Sequence, residues 1–537
     1  MADAPWWAAA VFYQIYPRSW ADSNGDGIGD LQGVISRLDY LAWLGVDGIW
    51  LNPIHPSPND DWGYDVSDYL GVHPELGTMA DVDELLRATG RLNIKVLLDL
   101  VPNHSSNRHP WFVDAYSSRD SRHRDWYVWA DARPGGGAPN NWMSVFAGEP
   151  AWEWHEPTQQ YYLHNFLASQ PDLNWWNEEV RDAFKDILAF WFDKGVAGFR
   201  IDVAHALVKD QELRDNPEAT DKDPEQVRRI GQQQVYNMNR PEVHDVLRSW
   251  RRVCDAYPAP KLLVGETYVY EYEQLASFYG TGVDELNLAF NFPFIFAEFT
   301  AEALRDSVER TLAALPQHAT PVWTGSNHDT SRLATRWCGG DDRKIRCALM
   351  MMLTLPGACF LYYGDEIGMT DVEVAFDDLQ DPVGKRRWPE GAGRDPVRTP
   401  MQWTPAPGAG FTSAEVRPWL PVGDHRGRNV ADQSGDPHSI LSFCRALIQF
   451  RKSSPDLLHG GYTALPGPSG TWGWRRGAST TVIVNLGDET AEIPGIEGTI
   501  NLATVADRTG EEVTGAAVVG PWDGVVIEAA TATSPPP

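Results

Sequence analysis

Positive charge is in short supply in this chain. It has 45 lysine and arginine residues against 74 aspartate and glutamate residues, which gives a formal net charge of -29. Nucleic acids and anionic membranes bind to cationic surfaces, so this balance argues against both as partners. The sequence also lacks an apolar run long enough to cross a bilayer. We therefore expect a globular protein whose ligand is neutral or cationic.

Cysteine is scarce as well. Five cysteines cannot all pair within one chain, and none stand in Cys-x-x-Cys spacing, so neither a zinc motif nor a redox motif is indicated. We expect reduced core thiols in a cytoplasmic protein, at Cys254, Cys338, Cys347, Cys359 and Cys444. The first seven residues lack the basic stretch and apolar core of a secretion signal, which favours the same location.

Short apolar runs that alternate with helix-like segments are abundant. The 537 residues are too many for one simple core, so two or three domains are expected. The candidate strands are Val11–Tyr16, Gly48–Asn52, Val96–Val101, Gly198–Asp202, Leu262–Glu266, Glu285–Phe290, Val322–Asn327 and Cys359–Tyr363. Eight such runs joined by helices predict an α/β fold, a parallel (β/α)8 TIM barrel.

Two regions break the alternation and predict additional units. Residues 105–170 are aromatic and rich in turns, and they indicate a subdomain inserted after the third strand. From residue 457 onward the pattern is that of short strands separated by Gly and Asp, which predicts a C-terminal antiparallel β domain over 457–537. The catalytic barrel is then assigned to residues 1–104 and 171–456.

Three carboxylates each stand at the end of an apolar run: Asp202, Glu266 and Asp329. Parallel barrels carry their chemistry at the carboxyl ends of the strands, so these side chains are predicted to share one site. Enzymes that cleave glycosidic bonds need one ionised carboxylate and one protonated carboxyl group. The alternatives are local structural roles, which for Asp329 means capping of a helix.

The neighbours of these acids fit the same chemistry. Residues two apart on a strand point the same way, so Arg200 can orient Asp202, keep it ionised and lower its pKa. Tyr268 and the apolar run before Glu266 supply surroundings that favour a protonated acid. His104, also at a strand end, can hydrogen-bond a sugar hydroxyl. For Asp61 and Tyr64 the alternative to sugar binding is a plain polar turn.

A separate acidic loop indicates a metal. Aspartate and asparagine alternate with small residues there, as in calcium-binding loops, and one backbone carbonyl completes the set. The proposed Ca²⁺ ligands are Asp22, Asn24, Asp26, the Ile28 carbonyl and Asp30. A full EF-hand loop would end in glutamate where Gly33 stands, so a short structural site is predicted. A turn built from Asp and Gly without metal is the alternative.

Taken in order, the motifs resemble glycoside hydrolase family 13, the α-amylase family, and within it the α-glucosidase and oligo-1,6-glucosidase branch. The motifs are Val11–Trp20, Asp99–His104, Gln170–Trp175, Gly198–Asp202, Glu266, Asn327–Asp329 and Arg394–Trp403. The resemblance implies a (β/α)8 barrel with an inserted domain and a C-terminal β domain.

The resemblance also implies roles for individual residues. Asp202 corresponds to the nucleophile, Glu266 to the acid/base and Asp329 to the transition-state stabiliser. The pocket that holds the non-reducing glucose corresponds to Asp61, Tyr64, His104, Arg200, His328 and Arg394, with Phe146 and Phe166 as aromatic walls. A retaining exo-acting α-glucosidase acting on short maltose-type oligosaccharides, as a monomer or homodimer, is the function implied.

By the same resemblance, the residue after the nucleophile corresponds to a selector of linkage preference. Val203 at this position is associated with α-1,6 cleavage in the branch, whereas Ala or Thr is associated more with α-1,4 cleavage. The chain continues with Ala204 and His205, where many relatives carry a bulkier residue and then Asn. We hypothesise that His205 borders the aglycone side. Oligo-1,6-glucosidase, and a transglucosylase or isomerase acting on maltose or sucrose, are the alternative activities.

Overall fold

Strands and helices alternate along most of the molecule, a computed structural model that describes residues 5–146 and 148–529. The strands are β1 (Val11–Ile15), β2 (Gly48–Leu51), β3 (Lys95–Leu100), β4 (Trp129–Ala130), β5 (Trp152–His155), β6 (Gln160–Leu163), β7 (Gly198–Ile201), β8 (Leu262–Gly265), β9 (Leu288–Ala289), β10 (Val322–Thr324), β11 (Ala358–Tyr362), β12 (Tyr462–Leu465), β13 (Thr471–Arg476), β14 (Thr480–Asn485), β15 (Ala491–Pro494), β16 (Gly498–Ala503), β17 (Glu512–Val513), β18 (Ala516–Val519) and β19 (Asp523–Glu528).

The helices surround the central sheet and link its strands. They are α1 (Leu31–Ser36), α2 (Leu38–Leu44), α3 (Met79–Arg91), α4 (Pro110–Ser117), α5 (Glu178–Lys194), α6 (Glu225–Ile230), α7 (Val243–Asp255), α8 (Tyr272–Ser277), α9 (Phe292–Ile295), α10 (Ala301–Ala314), α11 (Leu333–Arg336), α12 (Asp342–Thr354), α13 (Pro382–Arg387), α14 (Val430–Ser434), α15 (Ile440–Ser453) and α16 (Pro455–His459).

Eight parallel strands form a nearly closed barrel. Their order is β10-β11-β1-β2-β3-β7-β8-β9, and every hydrogen-bonded neighbour runs parallel. The barrel interior is filled by large apolar side chains, among them Phe12, Trp50, Val264 and Phe360, so it is a packed core and not a channel. The TIM-barrel prediction is confirmed.

Two barrel strands are much shorter than the sequence predicts: β9, against the expected Glu285–Phe290, and β10, against the expected Val322–Asn327. The apolar run expected to continue to Asn327 leaves the sheet after Thr324, and side chains there bind the backbone instead. The Thr324 hydroxyl donates to the Ser326 carbonyl, and the Asn327 side chain accepts from the Asp329 amide. These local bonds replace the strand ladder and turn the chain so that Asp329 follows at the barrel rim.

Antiparallel sheets are formed by one segment inserted between β3 and β7 and by another that follows the barrel. The segment after β3 carries a three-stranded sheet in the order β4-β6-β5. The C-terminal part forms a six-stranded sheet, β12-β13-β14-β19-β16-β17, and a two-stranded sheet of β15 and β18. The sequence did not single out residues 203–242 as a long connection between β7 and α7, although only α6 interrupts this segment.

The structure also shows where the cysteines lie and whether its helices could span a membrane. All five cysteines are buried and free. Across residues 5–146 and 148–529, helices with the length and apolar character of a membrane span are absent.

Candidate active site

Arg200 is the centre of the acidic cluster. It lies on β7 with 1% of its surface exposed. One of its nitrogens, Nη1, lies 2.7 Å from Asp202 Oδ1 and 2.8 Å from Asp99 Oδ1, and the other, Nη2, lies 2.7 Å from Glu266 Oε2. Asp202 directly follows β7 and Glu266 directly follows β8, so adjacent parallel strands deliver both acids to one guanidinium group.

The backbone that follows Asp202 hydrogen-bonds to Glu266. The Val203 amide donates to Glu266 Oε2 at 3.0 Å, and the Ala204 amide donates to the Glu266 carbonyl at 2.9 Å. Val203 has a φ of +36°, a left-handed conformation that a β-branched residue rarely adopts. Strain of this kind persists only where surrounding contacts enforce it, and here it aims an amide at a carboxylate.

Asp329 completes the group of three acids. Its Oδ1 lies 2.7 Å from Arg398 Nη2 and 3.5 Å from Arg394 Nη1, and its Oδ2 lies 3.1 Å from His328 Nε2. Burial by itself raises the pKa of Asp329, but His328 and the surrounding arginines outweigh burial and hold the pKa below its usual range. Asp329 is therefore a carboxylate in the folded protein.

For Asp202 and Asp99, burial outweighs the neighbouring positive charge. It raises the pKa of Asp202 well above its usual range, although Arg200 opposes this shift. Burial likewise raises the pKa of Asp99 to about 6, again against Arg200. The expectation that Arg200 lowers the pKa of Asp202 is wrong in its net direction, because desolvation and the neighbouring carboxylates outweigh one guanidinium.

Tyr64 and His328 stack on one another beside Arg200. Their rings lie 5.2 Å apart at an angle of 11°, and the Tyr64 hydroxyl lies 2.6 Å from His328 Nε2. The Tyr64 hydroxyl also donates to Asp99 Oδ2 at 2.8 Å. Gln14 Nε2 donates to His328 Nδ1, which leaves the proton of a neutral imidazole on Nε2. Burial lowers the pKa of His328 well below its usual range, so the ring is neutral.

One edge of the site is closed by an ion pair. Arg394 Nη2 contacts Asp61 Oδ1 at 2.5 Å, and Gln170 Nε2 donates to Asp61 Oδ2 at 3.0 Å. Gln170 Nε2 also lies 3.2 Å from His104 Nε2, and His104 Nε2 lies 2.9 Å from the Tyr64 carbonyl. Residues from four distant parts of the sequence thus meet at this edge. Burial lowers the pKa of His104, so this ring is neutral.

The cavity above these groups has a volume of about 710 Å³. Phe166 packs on His104 with ring centroids 5.1 Å apart, and Phe146 packs on Phe166 at 5.5 Å. The predicted site residues that line the cavity are Asp61, Tyr64, His104, Phe146, Phe166, Asp202, Val203, Glu266, Asp329 and Arg394. Arg200 and His328 lie beneath the lining residues and orient them. His205 also lines the cavity, and its place on the aglycone side stays a hypothesis.

Comparison with known proteins identifies the family. The family model described as the alpha amylase catalytic domain matches residues 14–460. The chain belongs to glycoside hydrolase family 13, the α-amylase family.

Relatives within the α-amylase family include glucosidases. The chain is 42% identical over 474 residues to "Probable alpha-glucosidase" of Rhizobium meliloti (strain 1021), covering 85% of this chain and 84% of that protein. It is 39% identical over 495 residues to "Oligo-1,6-glucosidase" of Parageobacillus thermoglucosidasius, covering 85% of each. The crystal structure of the alpha-glucosyl transfer enzyme XgtA superposes with a TM-score of 0.91 at 39% identity, covering 98% of this chain and 100% of that one.

Several residues of the α-amylase-family site were not predicted individually. Asp99, Gln170 and Arg398 hold the acids and the pocket edge in place, and all three lie inside motifs that the sequence does display. Residues 223–239 supply much of the outer cavity wall. That segment is polar and shows no clear hydrophobic periodicity, so the sequence gives no positive signal for its place in the site.

The acidic loop near the N-terminus of this family 13 chain folds as a series of turns. Asp22 Oδ1 accepts from the Gly25 amide at 2.7 Å, and Asp26 Oδ1 accepts from the Ile28 amide at 2.8 Å. Asp30 caps α1 through the Gly33 amide. The oxygens are of the type that Ca²⁺ prefers. Among the described residues, no group of three or more His, Cys, Asp or Glu side chains is placed to hold a metal ion.

Proposed function

We propose that this member of glycoside hydrolase family 13 is a retaining exo-acting α-glucosidase, which releases α-glucose from the non-reducing end of short maltose-type oligosaccharides. The observation that carries the proposal is the single guanidinium group of Arg200, which binds Asp202 and Glu266 together at the floor of the cavity. Retaining glycosidases keep their two carboxyl groups about 5–5.5 Å apart, and a shared guanidinium group is compatible with such proximity. Relatives named alpha-glucosidase and maltase support the same activity.

In the proposed reaction, Asp202 attacks the anomeric carbon while Glu266 gives its proton to the departing oxygen. The glycosidic bond breaks as the bond to the Asp202 carboxylate forms, which yields a covalent glucosyl-enzyme. Glu266 then takes a proton from water, and the resulting attack on the same carbon releases glucose with its α configuration retained. The carboxylate of Asp329 stabilises the positive charge that develops on the sugar ring.

The cluster that carries out these steps holds more carboxyl groups than one guanidinium group can balance. Asp99, Asp202 and Glu266 surround one guanidinium group, so three carboxyl groups share a single positive charge. Like charges at such distances cannot all ionise, and the cluster therefore favours keeping a proton. Because burial raises the pKa of Asp202, the free enzyme favours this proton on Asp202. The proposed reaction requires the proton on Glu266, the acid catalyst, once the sugar is bound.

The ion pair between Arg394 and Asp61 supports the exo mode. Together with Gln170 and His104 it closes the edge of the cavity beside Tyr64. A chain that ran through the site would have to break these buried contacts, whereas the end of a chain would not.

Substitution of Asp202 by Ala tests the assignment. We expect no measurable turnover of maltose or of p-nitrophenyl α-glucoside, with an unchanged far-UV circular dichroism spectrum. Asp186→Ala, an exposed position on α5, is the matched control and retains the wild-type rate. Hydrolysis at the wild-type rate by the Asp202 variant would refute the proposed nucleophile.

Two observations favour alternative activities, namely α-1,6 cleavage and glucosyl transfer. Val203 lines the cavity directly after Asp202, at the position associated with α-1,6 cleavage in the branch. The similarity to XgtA, named as an alpha-glucosyl transfer enzyme, favours transfer to a sugar acceptor. Initial rates on maltose, isomaltose, sucrose and trehalose separate the linkages, and product analysis at high substrate concentration separates transfer from hydrolysis.

A calcium ion in the loop from Asp22 to Asp30 is part of the proposal. The donors would be Asp22, Asn24, Asp26, the Ile28 carbonyl and Asp30, and the ion would tie the loop together. We expect millimolar Ca²⁺ to raise the melting temperature after chelator treatment, and Asp26→Ala to abolish the rise. Asp306→Ala, an exposed position on α10, serves as the control. An unchanged melting temperature in the wild type would contradict the site.

The proposal also covers the substrate class, the cellular location and the oligomeric state. The substrate is a small neutral oligosaccharide, in agreement with the scarcity of cationic surface. A cytoplasmic location and a monomeric or homodimeric state remain predictions, which fractionation of cells and sedimentation would test.

A further inference from the structure

Two exposed aromatic rings lie against each other in the loop that follows β11. Phe376 is 50% exposed and Trp388 is 42% exposed. Their ring centroids are 5.9 Å apart. The described residues include several exposed large apolar side chains, and within that group these two aromatic rings touch each other. Aromatic surface left in water at one place marks a site of interaction.

The segment that carries Trp388 is fixed to the glucose pocket at its base. Asp381 accepts from the Arg394 amide at 2.6 Å and from Arg394 Nη2 at 2.8 Å, and Arg394 in turn binds Asp61. The first and last parts of the segment are thereby clamped together, and α13 with Trp388 lies between them.

The same segment forms part of the cavity wall. Val383, Arg387 and the residues from Glu390 to Arg394 all line the cavity, so Trp388 has lining residues on both sides of it in sequence. Arg386 reaches Glu149 of the inserted segment at 3.0 Å. Trp388 therefore directly follows a residue of the cavity wall, and Phe376 packs against Trp388.

An α-linked oligosaccharide fits this position chemically. With its non-reducing glucose held in the pocket, the rest of the chain must leave through the mouth of the cavity. Glucose rings present faces of C–H groups that pack on flat aromatic rings, and their hydroxyls remain in water. Two rings inclined at 49° provide such a surface without requiring a deep groove.

We propose that Phe376 and Trp388 form an outer subsite for the glucosyl units of the substrate beyond the bond to be cleaved. This inference rests on the proposed α-glucosidase function and deepens it. The subsite contacts neither the first glucose nor the reacting atoms. It therefore improves the use of longer oligosaccharides and leaves disaccharide hydrolysis unchanged.

The test is the dependence of kcat/KM on chain length. For Trp388→Leu and Phe376→Leu we expect kcat/KM on a five-glucose substrate to fall by about 3- to 10-fold, with kcat/KM on the disaccharide unchanged. Trp388→Phe keeps a flat ring and should recover most of the loss. Tyr116→Leu, an exposed aromatic position on α4, is the control and should leave both values unchanged.

The outcomes separate the subsite from the activity. An equal kcat/KM ratio of long to short substrate in wild type and both Leu variants would overturn the subsite while leaving the α-glucosidase assignment intact. Equal losses on long and short substrates would show that the rings support the loop fold, which would also overturn it. If the wild type hydrolyses no α-glucoside of any length, the proposed function fails instead.

Discussion

Arg200 illustrates how much of the site depends on one side chain. Its guanidinium group binds Asp99, Asp202 and Glu266 while almost fully buried. A guanidinium group has five donors in a rigid planar arrangement, whereas the lysine ammonium group is a compact point charge on a flexible stem. Lysine at this position cannot bind three carboxyl groups with the same geometry, even though it preserves the charge.

For Arg200→Lys we expect kcat on maltose to fall by at least about 100-fold, because misplaced acids and an altered local charge affect both chemical steps. The fold should be weakened as well, since a buried charge network is disrupted. Steady-state kinetics and thermal melting measure the two effects. Arg305→Lys, in the exposed pair with Glu309, is the control. Activity near that of the wild type would show that the acids are positioned without Arg200.

Asp329 gives a prediction about acid stability. Its pKa is held below the usual range in the folded protein, so the ionised form stabilises the fold. That contribution is complete above the unfolded-state pKa of about 3.9 and is lost as the pH falls further toward the folded value. We expect Asp329→Asn to lower the free energy of unfolding at pH 7, and the difference from wild type to shrink below about pH 4.

Urea denaturation at a series of pH values measures this difference. Asp306→Asn, exposed on α10, should show no pH-dependent difference from wild type over the same range. A gap between Asp329→Asn and wild type that stays constant from pH 7 to pH 3 would contradict the electrostatic explanation.

The three acids were predictable from sequence because each ends an apolar run at the carboxyl end of a strand. The residues that hold them were not predictable in the same way. Arg398 reaches Asp329 across 69 positions, and Gln170 reaches Asp61 across 109. Contacts of that range are set by tertiary packing, which local patterns do not encode. The net pKa shift of Asp202 also depends on burial, which the sequence shows only indirectly.

At the scale of elements, the barrel strands were the most predictable part. Strands buried on both faces form short apolar runs, and the structure places a strand within each of the eight predicted runs or offset from it by a residue. The long connection from residue 203 to residue 242 was missed, because a polar segment without periodicity gives no positive signal. That segment nevertheless forms a wall of the cavity.

A buried ion pair connects the segment just before α5 to the long connection after β7. Lys209 Nζ lies 2.8 Å from Asp172 Oδ2, and it also donates to Asn103 Oδ1. Asn103 Nδ2 in turn lies 3.1 Å from His104 Nδ1, so the pair bears indirectly on a ring at the edge of the pocket. Both charged groups are buried, and removal of one partner leaves the other without compensation.

For Lys209→Met we expect a loss of about 3–5 kcal/mol in the free energy of unfolding and a higher KM for maltose. Lys194→Met is the matched control, since Lys194 pairs with Asp83 at the surface and such pairs contribute about 0–1 kcal/mol. Chemical denaturation and steady-state kinetics provide the readouts. Equal stability losses in the two variants would show that burial of the Lys209 pair carries no special weight.

At the scale of the whole molecule, the excess of acidic residues remains largely unpaired. The chain carries 74 acidic side chains and 45 lysines and arginines, so repulsion among surface carboxylates opposes the compact state. Mobile ions screen this repulsion, with a screening length of about 10 Å at 0.1 M salt. The pairs around Arg200 are screened much less, because their charged groups are almost fully buried.

We therefore expect the melting temperature to rise by on the order of 2 °C or more between about 20 mM and 0.5 M NaCl, as surface repulsion is screened. The rise should be the same in KCl, since screening depends on ionic strength and not on the cation. Melting in the presence of a chelator separates this effect from calcium in the loop from Asp22 to Asp30. A melting temperature that stays flat or falls with salt would mean that surface ion pairs, which salt weakens, outweigh the repulsion.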